Sequence, residues 1–223
     1  MKLSIRLKKI CDMVSYSKTV ADVGCDHGKV VAQLFLDNKI EYAYLSDISA
    51  KSVKKADDLL KELNISSDKY QVIVTDGLNN YNVKDIDTVI IAGMGGLEIK
   101  KILINNNVDV KEFVLVPHNN DVELRKYLIK NNYKIDKDLI VKDANKYYNI
   151  LKVTKGCSKL NKLQMYFGKT NFEVVTDDFI EYWDAERLKT INVLKKVPFM
   201  KKLKYVKYLK LISRAKNRVK RGV

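Results

Sequence analysis

The first 156 residues alternate short β-branched runs with longer stretches of helical periodicity, and this alternation leaves few folds open. It predicts strands at Thr19–Gly24, Tyr42–Ser46, Gln71–Thr75, Thr88–Ala92 and Glu112–Pro117. It predicts helices at Val30–Asp37, Ala50–Leu63, Leu97–Asn105 and Asp121–Lys130, where apolar residues recur at helical spacing. Strands nearly continuous in Val, Ile and Leu, separated by helices, require apolar cover on both faces, which is the setting of a parallel sheet. After the fifth strand the pattern changes. Tyr133–Lys142 and Lys146–Thr154 are consecutive strand-like runs joined by Asp143-Ala144-Asn145. So short a turn forces them to pair antiparallel. The expectation is an α/β sheet of five parallel strands closed by an antiparallel hairpin.

Gly156-Cys157-Ser158 ends that region, giving expected domains 1–156 and 157–223. In the second, Lys159–Gly168 reads as a short helix. Thr176 is placed to cap a long one with Ile180, Trp183, Arg187, Leu188, Ile191 and Leu194 on one stripe. Pro198 breaks it, and Met200–Arg221 follows as a second long helix with Leu203, Val206, Leu209 and Ile212 inward. Two long helices about a proline suggest a coiled-coil-like helical hairpin.

Charge divides along the same line. The chain of 223 residues has a formal net charge of +15. From Arg187 to Val223 there are 14 Lys or Arg and no Asp or Glu, whereas residues 1–186 are nearly balanced. A basic excess this concentrated points to a polyanionic partner. A hydrophobic fraction of 46% supports a packed core, and no apolar run approaches a membrane span. Cys11, Cys25 and Cys157 are odd in number and form no C-x-x-C pair, which fits a reducing cytoplasm. His27 and His118 lack Cys companions, so no metal site is expected.

Asp22-Val23-Gly24-Cys25-Asp26-His27-Gly28 follows the first strand and opens the first helix. Glycines let backbone approach a ligand, and a helix N-terminus offers N–H donors. Unlike the G-x-G-x-x-G of dinucleotide sites, this turn contains a carboxylate, Asp26, which repels a pyrophosphate. It suits a cationic ligand such as S-adenosylmethionine, with its sulfonium and α-amino group. Asp47, followed by Ile48, ends the second strand, where an acid can hold ribose hydroxyls. Asp76, before Gly77, ends the third, where a carboxylate can accept from an adenine amino group. Acids at the carboxyl ends of adjacent parallel strands mark the ligand edge of an open α/β sheet. Ala92-Gly93-Met94-Gly95-Gly96 ends the fourth strand and leaves room for a flat acceptor. His118 and Asn119, after the fifth, are placed to hydrogen-bond a base edge, and Arg6 to meet a phosphate.

Taken together, the Asp22–Gly28 motif, Asp76-Gly77-Leu78 and Ala92-Gly93-Met94-Gly95-Gly96 resemble the bacterial tRNA (adenine-N1)-methyltransferases that modify adenosine 22 of the D-arm. Ser4-Ile5-Arg6-Leu7, Asn119 with Leu124-Arg125, Lys146-Tyr147-Tyr148, Phe167-Gly168 and Trp183 are similar as well. The resemblance covers essentially the whole chain. It implies a Rossmann-like class I methyltransferase sheet of order 3-2-1-4-5-7-6 with a C-terminal helical domain. It also implies an enzyme that converts S-adenosylmethionine to S-adenosylhomocysteine on tRNA; a cytoplasmic monomer that needs no metal is the accompanying expectation. There is one departure: where the family reads Leu-Gln-Pro-Asn, this chain has Leu115-Val116-Pro117-His118, which removes an amide from the acceptor pocket.

The residues then divide by expected role. Asp26 is the catalytic candidate. Gly24, Cys25, Asp26, His27, Gly28, Asp47, Ile48, Asp76, Gly77, Ala92 and Gly93 would hold the donor. Arg6, Met94, Gly95, Gly96, His118 and Asn119 would meet the base, and Lys201, Lys202, Lys204, Lys207, Arg214, Lys216, Arg218 and Arg221 the RNA backbone. Two other readings stay open: a methyltransferase for another RNA, a protein or a small molecule, and a non-catalytic RNA-binding module.

Overall fold

A computed structural model describes residues 1–79, 81 and 85–220. Seven strands form one sheet: β1 (Ser17–Val23), β2 (Ile40–Asp47), β3 (Tyr70–Val74), β4 (Asp85–Met94), β5 (Asp109–Pro117), β6 (Tyr133–Asp143) and β7 (Lys146–Lys155). Their order is β3-β2-β1-β4-β5-β7-β6. β1 to β5 pair parallel, while β7 runs antiparallel to both β5 and β6. This is the sheet order that the family resemblance implies.

The helices of the sheet region are α1 (Ile5–Met13), α2 (Lys29–Leu36), α3 (Ala50–Glu62), α4 (Gly96–Ile104) and α5 (Asp121–Lys130). Two apolar cores lie on opposite faces of the sheet, because successive strand residues point to opposite sides. One gathers Ile10, Val20, Val31, Leu45, Leu60 and Val114, and the other Val23, Val89, Ile99, Phe113, Leu124 and Leu151. Ser4 caps α1, its hydroxyl accepting from the Leu7 N–H at 3.4 Å. That helix lies against α2 and the β6–β7 hairpin, which carries Arg6 to the carboxyl edge of the sheet.

Three helices follow: α6 (Lys162–Phe167), α7 (Asp177–Lys196) and α8 (Phe199–Lys220). They close over a third core of Ile140, Phe167, Phe179, Trp183, Leu211, Ile212 and Ala215. Thr176 caps α7, accepting from the Phe179 N–H at 3.2 Å. The buried face of α7 is Phe179, Trp183 and Thr190, whereas Ile180, Arg187 and Leu188 of the expected stripe are exposed. On α8, Ile212 is buried as expected and Leu209 half-buried, but Leu203 and Val206 are exposed. The reason is the partner. The aromatic rings of Phe167 and Phe172 and the edge of β6 select which side of each helix turns inward, and the hairpin outruns them.

The edge strand β6 is capped by side chains of this helical region. The N–H groups of Asp138, Ile140 and Lys142 donate to Thr170 Oγ1 at 2.8 Å, Asn171 Oδ1 at 3.0 Å and Asp178 Oδ2 at 2.9 Å. An edge strand otherwise presents such groups to any passing strand. Among the described residues, no helix is long and apolar enough to cross a membrane.

Candidate active site

The carboxyl ends of β1, β2, β4 and β5 open into a cleft of ≈ 940 Å³. Its first wall is the turn after β1. Gly24 (φ +75°), Asp26 (φ 48°) and Gly28 (φ 65°) bend the chain sharply there. The N–H groups of Gly24 and Cys25 both donate to Ser46 O, at 2.8 and 2.9 Å, so the turn leans on β2. Gly24, Cys25, Asp26 and His27 line the cleft, whereas Gly28 does not. A Cβ on Gly28 would stand 2.9 Å from Ala56 Cβ, so this glycine lets α3 close on the turn.

Four acids meet at this edge. Asp47 Oδ2 accepts from the Asp26 N–H at 3.3 Å, and its Oδ1 from the Ser49 N–H at 2.9 Å. Asp26 itself is exposed, with Oδ1 3.7 Å from Nε2 of His27, which is exposed to a lesser degree. Asp76 is exposed on the cleft wall beside buried Gly77. Asp22 is the acid that the sequence reading passed over. It is buried, yet it lines the cleft. Burial, then the neighbouring charges of Asp47 and Asp26, push its carboxyl up to about 7. The available signal was a single acid inside the otherwise apolar strand Val20-Ala21-Asp22-Val23. Cys25 is also buried, and desolvation raises its thiol well above the usual range.

The opposite wall comes from the last residues of β4 and the turn after β5. Ala92, Gly93, Met94 and His118 line it, and Gly93 (φ +91°) faces open space. Gly95, Gly96 and Asn119 are not in the lining; they tie the two turns together. The Gly96 N–H donates to Asn119 O at 3.0 Å, and the His118 N–H to Met94 O at 2.9 Å. A Cβ on Gly96 would meet Asn119 O at 2.7 Å. At the mouth, the Arg6 guanidinium lies 4.8 Å above the Tyr148 ring, and the His118 ring meets the same tyrosine edge-on at 5.9 Å. Burial, then Arg6 and Lys146, lower the His118 pKa, so its imidazole is neutral at neutral pH. Glu98, Lys101 and Ile102 of α4 also line the cleft and had not been singled out from sequence.

The basic side chains of α8 stand outside this cleft. Lys201, Lys204, Lys207 and Arg214 are exposed, and Lys202 is half-buried. Two others are engaged within the protein: Lys216 pairs with Asp184 at 2.5 Å, and Arg218 lies 5.0 Å over the Phe172 ring. Arg221 lies outside the described residues. Among the described residues, no three His, Cys, Asp or Glu side chains are grouped to hold a metal ion.

A glycine-turned carboxyl edge with acids on adjacent strands suits a cationic nucleoside ligand, and comparison with known proteins agrees. Residues 3–151 match the family model described as a methyltransferase domain. A Mycoplasma pneumoniae protein named as a candidate tRNA methyltransferase is 36% identical over 114 residues, 48% of this chain. The match spans about half (51%) of that relative's length. A Streptococcus pneumoniae protein described as a candidate tRNA (m1A22) methyltransferase superposes with a TM-score of 0.87 at 26% identity, over 96% of this chain and 99% of its own. The same protein has been solved in complex with S-adenosyl-L-methionine. A Streptococcus agalactiae protein of the NADB-Rossmann superfamily superposes at 0.88 with 28% identity, over 96% and 97%. The chain belongs to the methyltransferase domain family.

Proposed function

We propose that the chain transfers a methyl group from S-adenosylmethionine to N1 of an adenosine in tRNA, at position 22 of the D-arm. The observation that carries the reading is the gathering of Asp22, Asp26, Asp47 and Asp76 on one glycine-turned cleft. The full-length likeness to the S. pneumoniae protein supports the RNA substrate and its position. We further propose that residues 1–156 hold the donor and residues 157–223 the tRNA.

The lining fits such a donor. Its acids suit the sulfonium and amino group. Ile48 is apolar yet 76% exposed beside Asp47, in the position of a side chain that a flat adenine would cover. Asp47 would hold the ribose hydroxyls and Asp76 the adenine amino group. When bound, S-adenosylmethionine supplies a methyl group already activated by a positive sulfur.

N1 of adenine has an in-plane lone pair, so no residue has to create the nucleophile. The protein's contribution is alignment and exclusion of water, which can supply roughly 7–11 kcal/mol in favourable cases. N1 is hidden in a paired stack, so the base must be turned out to reach the cleft, at a cost of a few kcal/mol. Gly93 leaves space for it, and neutral His118 can hydrogen-bond its edge without opposing the charge that develops. That charge is positive on the methylated ring, and the carboxylate of Asp26, exposed on the cleft rim, would stabilise it.

Single-turnover transfer to bulk tRNA tests the reading. Asp26→Ala should slow it by roughly a hundredfold or more. Unaltered turnover would remove Asp26 from the mechanism, and absence of transfer by the parent chain would remove the function.

A further inference from the structure

Among the described residues, nothing covers the tip of the α7–α8 hairpin. Phe199 is 85% exposed, Met200 90% and Leu203 62%, and Leu188 on the facing helix is exposed as well. Tyr208 is the residue nearest the start of α8 that packs on the aromatic core. From there to Phe199 the helix extends about 14 Å at 1.5 Å per residue. The tip is therefore an arm reaching beyond the body of the protein, with apolar side chains at its end.

The surroundings of that apolar end select its partner. Lys195, Lys196, Lys201 and Lys204 are exposed around it, and no acidic residue occurs from Arg187 onward. A second copy of the same surface would be repelled by its own charge. A polyanion that also presents flat apolar faces is attracted twice, and RNA with unpaired bases is such a partner.

We infer that Phe199 and Met200 form a stacking platform that receives an unpaired base of the RNA while the surrounding lysines hold its phosphates. The surface is distinct from the methyl-transfer cleft, and the inference rests on the proposed RNA substrate. Phosphate contacts make binding salt-dependent, whereas stacking does not. The two contributions can therefore be separated on one arm.

The experiment uses the full chain. The native Trp183 is 1% exposed, so F199W places the sole accessible indole at the tip. Bulk tRNA and an unpaired oligonucleotide should quench that indole, while polyphosphate should bind without quenching it. In parallel, F199A/M200S should weaken tRNA binding roughly tenfold at every salt concentration with an unchanged salt slope. K201Q/K204Q should instead make the slope shallower by about 1 to 2. Absence of quenching at saturating tRNA, equal quenching by polyphosphate, or parent-like affinity of F199A/M200S would each overturn the platform. A blue shift on phosphatidylserine vesicles without a response to tRNA would assign the arm to membranes and overturn it too. Quenching by tRNA in a chain that transfers no methyl would keep the platform and remove only the proposed reaction.

Discussion

The backbone N–H of Asp26 donates to the carboxylate of Asp47 at 3.3 Å, so the turn after β1 and the end of β2 form one piece of the cleft wall. Asp47 thus has two duties in the proposed site: it faces the donor and it steadies the turn that carries Asp26. Asp47→Ala loses both, and donor affinity should fall roughly 10–100-fold, the range for hydrogen bonds to a charged group. Asp47→Asn keeps an acceptor for the Asp26 N–H and should lose less. Calorimetric titration of both variants with S-adenosylmethionine checks the order; equal affinity in Asp47→Ala and the parent would remove the role.

Asp22 predicts an opposition between stability and binding. Its carboxyl is raised to about 7 in the fold, chiefly by burial, and lies near 4 in an unfolded chain. Between those values the folded protein keeps a proton that the unfolded chain has released. Stability therefore falls as pH rises from about 4 to about 7 and stays lower above, by up to about 4 kcal/mol. Asp22→Asn should melt at a higher temperature than the parent at pH 8, with the difference vanishing near pH 4. A cationic donor favours the ionised carboxylate, so parent affinity should rise between pH 6 and 8. In Asp22→Asn it should be weaker and flat over that range.

Gly96 predicts an effect confined to the acceptor side. An added Cβ would press on Asn119 O at 2.7 Å and Asn120 O at 2.8 Å, both backbone atoms of the turn that carries His118. Gly96→Ala should cost about 1–3 kcal/mol in urea unfolding. It should lower methyl transfer while leaving donor affinity near that of the parent, because the donor wall is not displaced.

The joint between sheet and helices depends on Asp138. Its carboxylate accepts the Lys169 N–H at 2.9 Å and the Thr170 N–H at 2.8 Å, and lies 3.8 Å from Arg125 Nε with both side chains fully buried. Asp138→Ala removes the carboxylate paired with a buried guanidinium and leaves two amides without their acceptor. The expected loss is on the order of 3–5 kcal/mol, measured by urea unfolding. Asp138→Asn should lose less, and a parent-like Asp138→Ala would contradict the role of this pair.

The alternation of strands and helices was legible because each element carries its own period, and Asp121–Lys130 falls where its spacing places it. The hairpin was legible from its turn, where Ala144 adopts φ 53°. The inward faces of α7 and α8 were not. Phe179 and Ile180 are adjacent, both apolar, and only the aromatic partners decide which is buried. Glycine announces a constraint without its cause: Gly93 faces the cleft, whereas Gly28 and Gly96 yield to neighbouring protein atoms. The caps on β6 carried no local signal, since Thr170, Asn171 and Asp178 lie more than 30 residues from the amides they receive.

The proposed reaction is methyl transfer to N1 of adenosine in tRNA by the full chain. The most direct measurement incubates it with methyl-labelled S-adenosylmethionine and bulk tRNA, digests the RNA to nucleosides and identifies the labelled product. Label is expected in 1-methyladenosine. Label in any other nucleoside, or none in tRNA, would contradict it.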